Sequence, residues 1–366
     1  MTSLIDEAEA LGRTLVPVAE AGHHGRVNRE LVRALGTSGM LGRLFATEGV
    51  TATDLCQVRQ GLARVCTEAE TAFAVQGLGG VPILQNGSSS LIDEWNGPLA
   101  SGEAVAAFAL TEPGAGSDAA ALALKAVPDG AGYRLTGEKT YISNAPDADI
   151  ATVFARTTEG TGARGVTAFA VPIATEGVTG EPIDMLSPHA IGALRFDEVH
   201  VPGDNVLGEI DQGFEVAMRT LDLFRPSVGA FAVGMAEAAL AIAIDHASSR
   251  EAFGTQISRF QGISHQLANV KVAIEAAKHL VYDAAAAYDS GDTDALTGKA
   301  AMAKLHATET AQIAVDVAIQ VLGARGLEAD STLSHLYTEV RAPRIYEGTS
   351  EIQRNIISRE LFRGRI

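Results

Sequence analysis

Cysteine, tryptophan and positive charge are all scarce in this 366-residue chain, and each scarcity excludes something. There are two cysteines, Cys56 and Cys66, and one tryptophan. Two thiols give no disulfide framework and no zinc-ligand pattern; they read as small buried hydrophobes in a reducing compartment. Lysine and arginine number 28 against 45 aspartates and glutamates, a net charge of −17. A basic face for nucleic acid is therefore not expected, and anionic membranes are disfavoured. A local cluster of Arg and Lys could still hold a small polyanion. No internal repeat or low-complexity tract is present. The N-terminus, "MTSLIDEAEALGRTL", is acidic and amphipathic and lacks a signal-peptide core, so a cytoplasmic protein is expected. The most apolar run, "SVGAFAVGMAEAALAIAIDH" from Ser227 to His246, is broken by Glu237. Each side falls short of the ~20 residues a membrane helix needs, and a buried core helix is the expectation. "LGARG" at Leu322 to Gly326 lacks the preceding strand and the glycine spacing of a dinucleotide fingerprint.

The chain does have length and apolar mass. Its 46% hydrophobic content rules out disorder, and its length suggests two or three domains. Three compositional zones follow one another. Residues 1–104 carry apolar residues at helical spacing, as in "LIDEAEALGRTLVPVAEA" and "NRELVRALGTSGML". Residues 105–207 are short β-branched stretches with Gly, Pro and Asp between them, such as "GYRLTGEKTYISN", "DIATVFART" and "GVTAFAVPI". Residues 208–366 return to long Ala-rich helical patterns. Segregated helices and strands predict an α+β multidomain fold and exclude an alternating Rossmann pattern.

Several short stretches can carry chemistry. "FALTEPGAGSD" (Phe108 to Asp118) forces a tight backbone that could cradle a phosphate or bond the edge of a planar ring, or could simply be a turn. "KTYISN" reads as a strand with Tyr141 and Ser143 on one face, able to stack on and bond to a flat ligand, or as an ordinary half-buried strand. "LDLFRPSVG" places Asp222 and Arg225 on one helix face, where a local ion pair is the plainer reading. Pro226 would cost ~3 kcal/mol inside that helix unless its geometry is wanted. "SSREAFGTQISRFQG" gathers Arg250, Phe253 and Gln261 at a helix break, and "IQVLGARG" puts Gln320 and Gly323 at a helix end. "RIYEGTSEIQR" holds Glu347 between Tyr346 and Gly348, just before a closing helix with Thr349 or Ser350 as N-cap. Glu347 is then either a helix-start acid or a catalytic base.

In order and spacing, "LTEPGAGSD", R-x-x-F-G-x-x-I-x-x-x-Q, Q-x-x-G and "IYEGTSEIQR" together resemble the acyl-CoA dehydrogenases. The resemblance is strong from about residue 100 onward. Before that it rests on helical character and "LASGE" at Leu99 to Glu103. It implies an N-terminal α-helical domain (1–104), a middle β-barrel or sandwich domain (105–207) and a C-terminal four-helix bundle (208–366). FAD would lie between the β-domain and the bundle, a neighbouring subunit of a homotetramer completing its site. Phe108, Leu110, Thr111, Gly116 and Ser117 would hold the flavin edge, and Tyr141, Ile142 and Ser143 would line its ring. Arg250, Phe253, Gln261, Gln320, Gly323 and Ala324 would grip pyrophosphate and adenosine, with Thr349 and Glu351 at the adenosine end. Ser117, Asp222, Arg225 and Gly348 would contact the acyl thioester. Glu347 would remove its α-proton while the β-hydrogen leaves as hydride to the flavin, and an electron-transfer flavoprotein would accept the electrons. Family members with the base on the long helix carry it where this chain has Phe224, which leaves Glu347 as the base.

Three departures stand out. Tyr141 replaces a usual Trp, and Ala324 a usual Gly. "MLSPHAIGALRF" (Met185 to Phe196) replaces a Ser/Thr-rich stretch near the CoA arm, which opens an acyl-carrier-protein thioester as an alternative to acyl-CoA. A flavin oxidase or monooxygenase, or a flavin-less acyl-binding subunit, are the rival functions. Retention of Glu347 disfavours the monooxygenase, and the intact flavin motifs disfavour the acyl-binding subunit.

Overall fold

The computed structural model describes residues 3–46, 49–160 and 162–366. Five helices come first: α1 (Leu4–Glu20), α2 (Arg29–Thr37), α3 (Ala52–Ala63), α4 (Thr67–Asn86) and α5 (Ser89–Ser101). Eight strands follow: β1 (Ala106–Ala109), β2 (Lys125–Asp129), β3 (Gly132–Ser143), β4 (Ile150–Arg156), β5 (Val166–Pro172), β6 (Val178–Pro182), β7 (Ile191–Pro202) and β8 (Val206–Leu207). The rest comprises α6 (Gly213–Ser249), a hairpin of β9 (Glu251–Ala252) and β10 (Thr255–Gln256), then α7 (Gln261–Asp289), α8 (Thr293–Leu322), α9 (Thr332–Glu339) and α10 (Ser350–Phe362). Several starts are written in the sequence: Asn28, Thr51, Ser88, Ser331 and Thr349 each accept an N-terminal backbone N–H of the helix they precede.

These elements group into two compact units. One comprises Met1–Thr14, Thr51–Glu70 and Asp222–Ile366; the other comprises Leu15–Val50 and Thr71–Leu221. The helical first hundred residues are thus shared between them.

The first unit is helical. In α7 the buried residues Val270, Ile274, Ala277, Val281 and Ala284 recur every three or four positions, a single stripe facing its neighbours. Small residues let the helices approach closely: a Cβ added at Gly234 of α6 would stand 2.5 Å from the Gln60 carbonyl oxygen of α3. Polar side chains also tie these helices. Tyr282 of α7 donates to Gln60 (2.8 Å), whose amide donates to Glu237 of α6 (2.8 Å). Helix α6 contains Pro226 and is long and apolar enough to cross a membrane, but 72% of its apolar window is buried within the protein, the burial expected of a core helix.

The second unit is built on an eight-stranded sheet. Its order is β6-β7-β3-β2-β4-β5-β8, with β1 pairing parallel to β4. Every residue of β4 and nearly all of β5 is buried, so these strands read as continuous apolar runs. The β3–β7 ladder slips between Lys139 and Ile142. Tyr141 lies in this irregularity at φ 55°, a left-handed backbone that its residue type does not announce.

Candidate active site

The stretch around Glu347 is a strained turn held from several sides. A short 3-10 turn, Ala342–Arg344, ends with the N–H groups of Ile345 and Tyr346 both on the Ala342 carbonyl. Glu347 (φ 51°) and Gly348 (φ 92°) follow, two successive left-handed residues. A non-glycine residue held there costs on the order of 1–3 kcal/mol unless its surroundings fix it. Here the two carbonyls are gripped. Arg225 Nε donates to the Glu347 carbonyl (3.3 Å), and Gln353 Nε2 to both carbonyls (3.1 and 2.9 Å). Lys304 Nζ donates to the Gly348 carbonyl at 2.6 Å. Further along, the Ser350 hydroxyl donates to Glu309 (2.7 Å), which also pairs with Arg344 at 2.7 Å.

This geometry separates the two acids of "YEGTSE". Thr349 is the N-cap and accepts the Ile352 N–H. Glu351 is the helix-start acid; its own backbone N–H and the Thr349 hydroxyl hold its carboxyl below the ordinary range. Glu347 stands two residues before the cap. Its Oε2 is buried with no hydrogen-bond partner. Burial pushes the carboxyl above its ordinary range, and the nearby charges of Arg59, Arg225 and Lys304 pull it back only in part. Its backbone N–H bonds to no acceptor among the described residues.

Asp222 and Arg225 do pair, Nη1 to Oδ1 at 3.1 Å, and Thr297 donates to the other carboxylate oxygen at 3.1 Å. Burial raises the Asp222 pKa against these partners. Phe224, between them in sequence, is fully buried. Deeper in the same unit lies an ion pair of which Arg59 is 3% exposed and Glu70 not at all. Arg59 Nη1 also donates to Ser227 at 2.7 Å, and its guanidinium lies 5.8 Å from the Phe231 ring centre.

In the second unit, "FALTEPGAGSD" closes as a turn in which Glu112 and Ala115 exchange backbone hydrogen bonds at 3.1 Å. Glu112 points inward. It receives Lys139 Nζ (2.7 Å) and the N–H groups of Ala123 (2.6 Å) and Leu124 (3.0 Å), while Lys139 also donates to the Leu110 carbonyl at 3.0 Å. Burial pushes the Lys139 ammonium down to about 8 despite Glu112. This buried pair fixes the loop to β3. Above it the loop is open: a Cβ at Gly114 or Gly116 would meet nothing within 4 Å. Phe108, Leu110 and Thr111 are half-buried, Gly116 and Ser117 exposed. On β3, Tyr141 is 59% exposed, Ile142 buried and Ser143 half-buried. Tyr141 and Ser143 both lie at the end of β3, next to the slip in the β3–β7 ladder.

The remaining predicted cofactor residues lie on the surface of the first unit. Arg250, Gln261, Gln320, Gly323 and Ala324 are exposed, and Phe253 is 97% exposed at φ 53°. His246 has its pKa lowered by burial and then by the charges of Arg325 and Arg250, one from each of two of these segments. Gly323 ends α8 with φ 63° and open space around it.

Comparison with known proteins settles the family. Three family models cover nearly the whole chain: the N-terminal (residues 3–103), middle (107–199) and C-terminal (211–362) domains of acyl-CoA dehydrogenase. The chain belongs to the acyl-CoA dehydrogenase family. It is 36% identical to the mitochondrial short-chain specific acyl-CoA dehydrogenase of Sus scrofa, over 96% of this chain and 87% of that protein. It is 39% identical to the caffeyl-CoA reductase-Etf complex subunit CarC of Acetobacterium woodii, over 98% and 92%. The solved butyryl-CoA dehydrogenase of Megasphaera elsdenii superposes with a TM-score of 0.92 at 33% identity, covering 99% of both chains. As a member of this family the chain is an FAD-dependent oxidoreductase acting on CH–CH bonds, with helical N- and C-terminal domains and a middle β-domain.

The motif-based reading of this acyl-CoA dehydrogenase misses the groups that hold the motifs in place: Glu112 and Lys139, Arg59 and Glu70, and Lys304 and Gln353. A signal existed for two of them. Arg59 falls in phase with buried Leu55, Cys56, Leu62 and Ala63, and Lys304 with buried Ala300, Ala301, Ala307 and Thr308. A charge in the apolar phase of a helix marks a buried, partnered group.

The Arg59–Glu70 pair gives a stability test. Arg59→Met alone is expected to cost about 3–5 kcal/mol, since it removes the cation from a buried carboxylate. Adding Glu70→Leu is expected to recover most of that loss. Urea unfolding of the wild type and both variants measures this; a double variant no more stable than the single would contradict it.

Proposed function

We propose that this dehydrogenase desaturates an acyl thioester between Cα and Cβ, with Glu347 as the catalytic base that removes the α-proton. The observation that carries this reading is the Glu347 carboxyl itself: half-buried as a residue, with its Oε2 buried and unpartnered, raised in basicity by desolvation, and fixed on a clamped turn. A base in such surroundings is stronger than one in water. The unpartnered Glu347 N–H is the proposed donor to the thioester carbonyl, where it would stabilise the negative charge that grows on oxygen as the proton leaves. Gly348 leaves room beside it. Ser117, Asp222 and Arg225 are the other proposed substrate contacts, and Arg225 also steadies the base through the Glu347 carbonyl. Phe224 supplies no alternative acid.

The residues present suit FAD. The open backbone over Gly114 and Gly116, the exposed Tyr141 ring and the half-buried Ser143 hydroxyl match the edge and face of an isoalloxazine. The exposed Arg250, Phe253 and Gln261, with the Gln320–Ala324 turn, match a pyrophosphate and an adenosine; Thr349 and Glu351 are the proposed partners at its far end. When bound, FAD accepts the β-hydrogen as hydride. The near-complete exposure of Phe253 supports a second subunit against this surface, and a homotetramer is the proposed assembly. An electron-transfer flavoprotein is the proposed acceptor, supported by the relative named as part of an Etf complex. The cytoplasm is the proposed location. Retention of Glu347 favours the dehydrogenase over a flavin monooxygenase, and anaerobic bleaching followed by oxygen-uptake measurement distinguishes it from a flavin oxidase.

Acyl-CoA is the proposed substrate form. The Met185–Phe196 stretch, a loop to Ala190 and then the start of β7, favours a carrier-protein thioester as a second reading: Ser187 is buried, Leu186 is 69% exposed, and Pro188 and His189 lie in the loop, with the Pro188 carbonyl on the Gly25 N–H. Matched acyl-CoA and acyl-carrier-protein substrates, compared by kcat/KM, separate the two.

Glu347→Gln is expected to keep FAD and fold but to lower the rate of flavin reduction by ~10²–10⁴-fold, the worth of a positioned general base. Stopped-flow reduction with FAD quantified in both proteins checks this, and a variant near the wild-type rate would refute it. The pH profile carries a sign. Glu347 is protonated and inert below its raised pKa, so the wild-type rate should climb with pH through a limb above the ordinary carboxylate range.

A further inference from the structure

We propose that Lys304 is a positioning residue for the Glu347 base: its ammonium clamps the Gly348 carbonyl and sets a positive charge beside the Glu347 carboxylate, so one side chain fixes both the turn and its charge. The inference rests on the reading of Glu347 as the base and adds a residue that neither motif nor family likeness assigns here.

The geometry is specific. Lys304 is fully buried on the apolar stripe of α8, and Nζ lies 2.6 Å from the Gly348 carbonyl oxygen. Among the described residues this is its hydrogen bond, and no carboxylate pairs with it directly. Burying an ammonium against a neutral carbonyl is expensive, and a glutamine could make the same bond without a charge. The charge therefore needs its own explanation, and the groups facing it supply one. Glu347 on the turn, Glu309 on α8 and Glu351 on α10 favour the ammonium, Glu347 most strongly, while Arg225 on α6 opposes it. Seen from the base, the facing cations are Arg59 on α3, Arg225 on α6 and Lys304 on α8. Arg59 has Glu70 as its partner and Arg225 has Asp222. Lys304 is the cation of the three whose charge has no carboxylate paired to it directly; Arg59 and Arg225 act more strongly on the Glu347 carboxylate, and Lys304 adds to them while also holding the turn. Burial holds the Lys304 ammonium down to about 8, so it is charged at neutral pH.

Two variants test this. Lys304→Met removes both bond and charge; Lys304→Gln removes the charge and keeps a donor for the Gly348 carbonyl. With FAD content and substrate dissociation constant within about twofold of wild type, Lys304→Met should reduce its flavin about 10²-fold more slowly, the cost of a misplaced reacting group. Lys304→Gln should recover much of that rate. In both, the acid limb of the pH profile should move up by roughly half a unit or more, because the Glu347 carboxylate has lost a stabilising charge. If Lys304→Met fails to fold, the limb of Lys304→Gln decides. Variants with full FAD, wild-type rate and an unmoved limb would overturn the proposal, as would a rate loss traced wholly to weaker substrate binding. Glu347→Gln run alongside keeps two failures apart. A full rate in Glu347→Gln removes the base assignment itself; a crippled Glu347→Gln beside silent Lys304 variants removes only the positioning role.

Discussion

Two consecutive left-handed residues, Glu347 and Gly348, are the constraint on which the proposed chemistry of this protein depends. That backbone sets Glu347 two residues before the helix cap, with its N–H bonded to no acceptor among the described residues. Left alone it would relax, since glutamate gains nothing from φ 51°. It persists because donors from α6, α8 and α10 converge on its carbonyls. Much of the helical unit can be read as support for this turn: Glu309 anchors its far side, Asp222 and Thr297 orient Arg225, and the Arg59–Glu70–Ser227 cluster adds a fixed field from α3.

The second unit follows the same plan with other residues. An open segment is the proposed ligand contact, and a buried charge pair holds it. Glu112 and Lys139 fix the Gly-rich turn from below and leave its upper face free. In both units a lysine is buried, its ammonium is pushed down to about 8 by desolvation, and it donates to a backbone carbonyl of the functional loop. Each carries a desolvation cost, Lys139 as half of a buried pair and Lys304 as a buried ammonium on a carbonyl. What each gives in return is a backbone shape that apolar packing alone would not specify.

Much of this was legible in the sequence. The three compositional zones correspond to helices, sheet and helices, because periodicities of 3.6 and 2 survive in Ala-rich helices and β-branched strands alike. Thr349 as N-cap and Gly323 as helix terminator follow from residue type. The family motifs located Glu347, Tyr141, Ser143 and the Gly-rich turn. What sequence did not reveal is what holds them. The bulge at Tyr141 has no glycine to announce it. Lys139 and Lys304 look like surface residues by type, and only for Lys304 does its phase in the helix say otherwise. Neither Arg59 with Glu70 nor Glu112 with Lys139 is a local pair; each is brought together by the fold, and no spacing rule connects residues that far apart. The division of the first hundred residues between two units is likewise a property of contacts and not of composition.

The central claim is that Glu347 takes the α-proton, and that step can be observed apart from hydride transfer. An acyl thioester that binds but has no removable β-hydrogen should still lose and regain its α-hydrogen on the enzyme. Incubated in deuterium oxide with the FAD-loaded protein and followed by mass spectrometry, it should take up deuterium at Cα with wild type and remain unlabelled with Glu347→Gln. Equal labelling by the two proteins would contradict the account, because the proton would then leave by a group other than Glu347.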